Sequence, residues 1–467
     1  MAKYEFVPFG LTIEDLYELS KEPPEISISQ ELREKIIKSR ELVEKILREE
    51  KSILRIPSKN IKELHEVGNY LSPEEVRAIM ISRAYSLALG YSGVRMEVIE
   101  KILEFLRKDI IPLIPERESG GTSSDLTPLA YISYALTGMG EVLYQNKRMN
   151  TKEALRISNT QPLELEPKEG LVLINGTQFM SGIGSLCYIK AKNLGKISEI
   201  ASALSLEALK GTNRAFDPWI QALRPHRGQI KSSENLRRLI SESEIILSYR
   251  DCPQIRDAYI LGCIPQVFAG FHQTMDFVRD ILEVELNSVT DNPLIILEEE
   301  KILSGGNFHG EILAHAFDYL SIAITNITTF SERRIYRLSS NKLSELSNIS
   351  ASLVSENKIL SQPVSSLSVV KGEEDFVNMR VESVLKLRRI IKNWETISAI
   401  ELICAVQEID SYRPLKCGRG TEIAYQYIRS LIPHIEEEEE LSSKIQIIEK
   451  NLYQLLEEVE KEIGELL

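Results

Sequence analysis

Glu116-Arg117-Glu118-Ser119-Gly120-Gly121-Thr122-Ser123-Ser124-Asp125-Leu126-Thr127-Pro128 is a run of small, polar and turn-forming residues set between stretches of helical period. Such a loop, enclosed by long helices, is usually a linker or a site. On its own chemistry it reads as a helix-capping turn, with Ser or Thr as the cap and Asp125 in the first turn. No Lys follows the glycines, so it is not a phosphate-cradling P-loop, and the GxSxG elbow of hydrolases is absent.

Outward from this loop the texture is helical on both sides. Met96 to Lys108 carries helical period, and Pro112 and Pro115 end it. Before it, Ser72 caps Pro73-Glu74-Glu75, with acids in the first turn. That helix runs through Val76, Ile79, Met80, Arg83 and Leu87 and stops before Gly90. Ser29 to Glu50 reads the same way. On the other side, Leu129 to Leu143 reads as apolar helix, and Lys168 to Ser185 holds a second small-residue stretch, NGTQFMSGIGS, inside an apolar run. From about Ile189 to Tyr336 helical patterns are interrupted only at Arg224–Gly228, Asp291–Pro293 and Ser304–Gly310. Residues 342–374 mix helix and loop. Phe376 to Leu467 is helical, with Glu436–Glu440 as a solvated helix start.

Composition agrees. The 467 residues hold only 24 Gly and 18 Pro, so breakers are few. Hydrophobic residues at 43% and charged residues at 27% describe a globular chain, long enough for two or three lobes. The expected architecture is mainly all-α: a bundle of long helices with a smaller N-terminal lobe. Lys plus Arg is 56 against 69 Asp plus Glu, a formal charge of −13, which argues against a nucleic-acid partner. The five cysteines lack CxxC or zinc spacing and read as reduced thiols of a cytoplasmic protein. No apolar run suits a membrane span, and MAKYEFVPFG does not read as a signal peptide.

Gly121-Thr122-Ser123-Ser124-Asp125-Leu126-Thr127-Pro128-Leu129-Ala130 resembles the Gly-Ala-Ser-Gly-Asp-Leu-Ala-Pro-Leu-Ala segment of the histidine and aromatic amino-acid ammonia-lyases. Other segments resemble that family in the same order. They are Gly90-Tyr91-Ser92-Gly93-Val94-Arg95, Lys168-Glu169-Gly170-Leu171 with Asn175-Gly176-Thr177-Gln178, and Arg227-Gly228-Gln229. Pro265-Gln266-Val267, Thr290-Asp291-Asn292-Pro293-Leu294 and Ser304-Gly305-Gly306-Asn307-Phe308-His309 follow. Ser331-Glu332-Arg333-Arg334, Ser355-Glu356-Asn357-Lys358 and Glu374-Asp375 continue to the C-terminal part.

The resemblance implies a long-helix fold of the ammonia-lyase type, with residues 1–165 as the lobe carrying an electrophile loop and 166–467 as the bundle and C-terminal helices. It implies elimination of ammonia from a histidine-like or aromatic α-amino acid, giving an α,β-unsaturated acid, as part of amino-acid catabolism. The cofactor would be methylidene-imidazolone (MIO), formed autocatalytically from Thr122, Ser123 and Ser124, with no metal and no nucleotide. Ser123 would lose water to give the methylidene. Asn175 and Tyr259 are the implied catalytic residues beside Ser123. His65, Phe308, Glu374 and Arg256 are the implied substrate-binding residues. The implied assembly is a homotetramer with sites between subunits.

Thr122 in place of Ala is a tolerable change, but three other functional positions depart from the family pattern. Ser124 replaces a Gly whose amide must attack the first carbonyl, and Ser reaches unusual φ values only at a steric cost. Leu54 stands where the family has a Tyr that is the base. Tyr91, Tyr259, His65 and Glu374 are the candidates to replace it. Gly262 stands where the family has the carboxylate-gripping Arg, leaving Arg256 or Arg55 to supply a cation. The segment from Asn348 to Ser355 is also short. The alternative reading is a catalytically degenerate homologue that binds a ligand or a partner subunit. The signature of the fumarase and aspartase lyases is absent.

Overall fold

The computed structural model describes residues 2–49, 66–118, 127–249, 258–339, 343–364, 380–436 and 441–467. The fold is mainly α-helical, as expected. Its longest helices are Gln178–Ala208, Ile264–Leu286, Glu311–Leu338, Arg380–Ile409 and Leu441–Ile463. Four small sheets accompany them: a parallel pair, two antiparallel pairs and one sheet of three short strands.

Two compact units are assembled from discontinuous segments. One comprises Met1–Ile189, Arg279–Phe317 and Pro363–Leu385, and the other Lys190–Val278, Asp318–Gln362 and Lys386–Leu467.

In the first unit the helix Pro73–Ala88 is central. Every residue from Glu75 to Ala88 is buried, so it has no solvent face. It begins as the sequence predicts: Ser72 Oγ accepts from the Glu75 amide, and the Glu75 side chain reaches back to the Ser72 amide. The small-residue stretch from Asn175 to Ser185 acquires its meaning here. A Cβ on Gly182 would lie 3.0 Å from the backbone of Ile79, so glycine lets the start of Gln178–Ala208 approach the central helix closely. The buried helix also carries two cations. Arg77 pairs with Asp109, and Arg83 is wholly buried.

Two sequence expectations are corrected. Within the stretch read as helical from Ile189 to Tyr336, Leu294–Ile296 and Lys301–Leu303 pair as an antiparallel hairpin. The helix expected over 129–143 is Thr127–Leu136, and Glu141–Tyr144 then pairs with Lys147–Asn150 as a hairpin. Gly138 and Gly140 have φ of +82° and +73°, which end the helix. Gln145 and Asn146 both have positive φ, the backbone that a tight two-residue hairpin turn requires. Residues 437–440, most of the acidic run, lie outside the described residues.

In the second unit the long helices are fastened by buried polar pairs. Arg334 donates to both carboxylate oxygens of Glu401, at 2.5 and 3.0 Å, and Ser205 Oγ donates to Glu401 at 2.7 Å. Asn393 donates to Asn357, and the Trp394 indole donates to Ser198. Gly228 lets the helix Arg227–Leu239 approach Ala269 and His272, because a Cβ there would stand 2.8 Å from both.

Candidate active site

Within the first unit, segments far apart in sequence converge on the break between the helix Glu169–Ile174 and Gln178–Ala208. Asn175 is the C-cap of the first helix and is 7% exposed. Its side-chain amide makes no hydrogen bond among the described residues. Gly176 follows. A Cβ there would fall 2.3 Å from Gln178 Oε1 and 2.6 Å from Arg83 Nη1, so a side chain would have to displace both groups.

Thr177 and Gln178 anchor the turn. Thr177 Oγ1 donates to Glu285 at 2.5 Å, Gln178 Nε2 donates to Thr290 Oγ1 at 2.7 Å, and Arg83 Nη1 donates to Gln178 Oε1 at 2.7 Å. Next to Thr290, Asp291 is buried with Lys168, whose Nζ stands 3.5 Å from it and donates to the Ser92 carbonyl at 2.5 Å. Arg95 grips the buried Glu169 through Nε at 2.9 Å and Nη2 at 2.8 Å. Thus three of the quoted motifs, at 90–95, 168–178 and 290–294, form one hydrogen-bonded network.

The loop at 304–310 joins them. Asn292 Oδ1 accepts from Ser304 Oγ at 3.0 Å and from the Gly305 amide at 2.8 Å. At its far end Gly310 packs on Met180 and Thr177, where a Cβ would stand 2.9 Å from Met180 Sδ. Phe308, partly exposed, is carried on this loop.

Burial sets the electrostatics. It lowers the Arg83 guanidinium to about 10, against the partial support of Asp291. Among the described residues two of the Arg83 nitrogens, Nε and Nη2, have no hydrogen-bond partner. Burial also lowers Lys168, opposed by Asp291, and raises Glu285, opposed by the Thr177 hydroxyl. For Glu169 burial pushes upward, but the Arg95 hydrogen bonds reverse it and the net shift is downward. His309 is held below the usual imidazole range by burial and by the charge of Arg380.

The network therefore gathers Asn175 and the loop of Phe308 in one unit. Tyr259 belongs to the other unit, 78% exposed at the start of the short helix Tyr259–Gly262. At Gly262 a Cβ would meet nothing within 4 Å. Tyr91 is engaged structurally: the Lys35 ammonium sits 3.5 Å above its ring, and its carbonyl accepts from the Ile295 amide. His65, Thr122, Ser123, Ser124, Arg256 and Glu374 lie outside the described residues, as do Leu54 and Arg55. Sequence reasoning did not single out Arg83 or Glu285. Each is one charge on a helical pattern, and nothing local distinguishes it from a solvated one. Among the described residues no His, Cys, Asp and Glu side chains group to hold a metal ion. No helix among them is long and apolar enough to cross a membrane.

Comparison with known proteins gives one answer from sequence and structure. Histidine ammonia-lyase of Caldanaerobacter subterraneus is 38% identical over 92% of this chain and 93% of its own. The enzyme of that name from Alkaliphilus oremlandii is 38% identical over 97% of each chain. Among solved structures, histidine ammonia-lyase from Trypanosoma cruzi superposes with a TM-score of 0.88 at 32% identity, over 98% of this chain and 95% of that one. Tyrosine aminomutase from Streptomyces globisporus gives 0.87 at 28% identity, over 97% of each. The family model described as aromatic amino acid lyase matches residues 59–430. The motifs, their convergence and these near full-length likenesses place the chain in the aromatic amino acid lyase family.

Proposed function

We propose that the protein is an ammonia-lyase that eliminates ammonia from a histidine-like or aromatic α-amino acid, giving an α,β-unsaturated acid. The observation that carries this is the rigid Asn175–Gln178 turn. Arg83, Glu285 and Thr290 all hold its flanks, yet the Asn175 amide has no hydrogen-bond partner among the described residues. That amide is therefore available to a partner supplied by a bound group. An MIO ring from Thr122, Ser123 and Ser124 fits that donor chemistry, and Asn175 would hydrogen-bond it. When formed, the ring supplies an electrophile that captures the amine and makes it a better leaving group.

The chain's own residues then have separate tasks. The Thr177 and Gln178 anchors fix where Asn175 points. Tyr259 offers a hydroxyl for proton transfer. Phe308, with His65 and Glu374, supplies the wall and the polar contacts of an imidazole or aryl side chain. Arg256 offers a cation for the substrate carboxylate. We propose a homotetramer in the cytoplasm as the working assembly. A degenerate, non-catalytic homologue is not favoured, because likeness to the enzymes extends over nearly the whole chain.

Intact mass tests the reading. Cyclisation and dehydration each release a water, so the purified chain is expected to weigh two waters less than its sequence, with near-ultraviolet absorbance to match. It should also release ammonia from L-histidine or an aromatic amino acid. An unshifted mass refutes MIO formation. A shifted mass without turnover on either class refutes the substrate assignment.

A further inference from the structure

The end of the helix Thr127–Leu136, the helix Thr151–Ile157 and the turn after it line a half-open surface pocket of about 420 Å³ in the first unit. None of its lining residues belongs to the Asn175 network. Gly138 shapes it. Its φ of +82° requires glycine, and a Cβ there would stand 3.3 Å from Pro162 and 3.6 Å from Leu155, inside the space. The volume lies in the range of small-molecule sites, roughly 300–1,000 Å³.

Charge gives the cavity a sign. Lys152 and Arg156 line it one helical turn apart, so both face the same side of their helix. Neither forms an ion pair among the described residues. Their neighbours do: Lys101 and Lys108 pair with Glu104, and Arg148 pairs with Glu141. Both are exposed, so both charges are open to a ligand in the pocket. The side-chain amide of Gln161 adds a neutral donor, and Leu155 with Pro162 adds an apolar floor.

We propose that this cavity binds a small organic phosphate monoester. A phosphate dianion neutralises both cations together and offers acceptor oxygens to the guanidinium fork, the ammonium and the amide. A monocarboxylate leaves one cation unmatched. The space beyond the phosphate, floored by Leu155 and Pro162, takes the organic part. The site is independent of the ammonia-lyase reading.

Calorimetric titration of the full-length protein with phenyl phosphate at low ionic strength tests it. Saturable binding at one site per chain is expected. Arg156→Gln and Lys152→Gln should each weaken it by about tenfold, one hydrogen-bonded ionic contact being worth that much. Lys147→Gln, an exposed cation outside the cavity, should leave the affinity unchanged. Absence of saturable binding up to about 10 mM overturns the proposal. So does binding that survives both cavity variants, and so does benzoate binding as tightly as phenyl phosphate.

Discussion

Gly262 is a residue whose absence of a side chain has no structural reason. Nothing lies within 4 Å of where its Cβ would be, so the position tolerates bulk. An arginine there would return a fork of donors for a substrate carboxylate. Gly262→Arg is therefore expected to raise kcat/KM for L-histidine by at least about tenfold, mostly through KM. Steady-state kinetics on the two proteins decide it. An unchanged kcat/KM would show that Arg256 or another cation already holds the carboxylate.

Glu207 makes a second residue-scale case, through pH. It is buried in the helix Gln178–Ala208, where it accepts the Gly418 amide at 2.8 Å, but its Oε2 has no partner among the described residues. Burial, the largest influence, raises its carboxyl from 4.5 to about 7, against hydrogen bonds from Ser243, Thr421 and Gly418. A carboxyl whose pKa is higher folded than unfolded stabilises fully below the unfolded value. That contribution is lost as pH rises through the folded value. Glu207→Gln cannot ionise. Relative to the parent it should gain about 3 kcal/mol of stability between pH 4.5 and pH 8. Denaturation midpoints of both proteins at the two pH values measure the gain. A pH-independent difference would mean Glu207 titrates normally.

Among elements, the helix pairings depend on where glycine sits. Gly182 and Gly270 both occupy helix interiors, and helix propensity alone favours alanine at each by about 1 kcal/mol. Their surroundings are opposite. A Cβ at 182 meets the Ile79 backbone at 3.0 Å, whereas one at 270 meets nothing within 4 Å. Gly182→Ala should destabilise by roughly 1–3 kcal/mol, because backbone cannot yield as a side chain can. Gly270→Ala should stabilise by up to about 1 kcal/mol. Thermal unfolding of the pair would show opposite shifts, and shifts of the same sign would remove packing as the cause. The same contrast explains what the sequence revealed about elements. Ser72-Pro73-Glu74-Glu75 carried its own start signal and the helix begins there. The end at Leu136 was missed because the following residues, apart from Gly138 and Gly140, keep an apolar texture. The hairpin that follows depends on positive φ at Gln145 and Asn146, residue types that do not demand it.

At the scale of the whole molecule, the family motifs were legible as strings, but their meeting was not. Arg95 reaches Glu169, Lys168 reaches Asp291, and Gln178 reaches Thr290 only after folding closes separations of about a hundred residues. Sequence also leaves open which apolar residues face outward. In the second unit Trp219 is 77% exposed and Leu223 86%, on and just after the helix Pro218–Ala222. That helix packs with the turn Arg214–Phe216, which also packs with the helix of Tyr259. Three large apolar or aromatic groups so exposed would be costly in water, and contact with other copies in a tetramer would relieve the cost. A Trp219→Glu, Leu223→Glu double variant would place two charges in that contact. Light scattering should then find the parent as a tetramer and the variant at a lower mass. Ammonia release should fall in step if Tyr259 acts in a site completed by a neighbour. A variant that stays tetrameric would place the subunit contact elsewhere. One that dissociates with full activity would show that each chain holds a complete site.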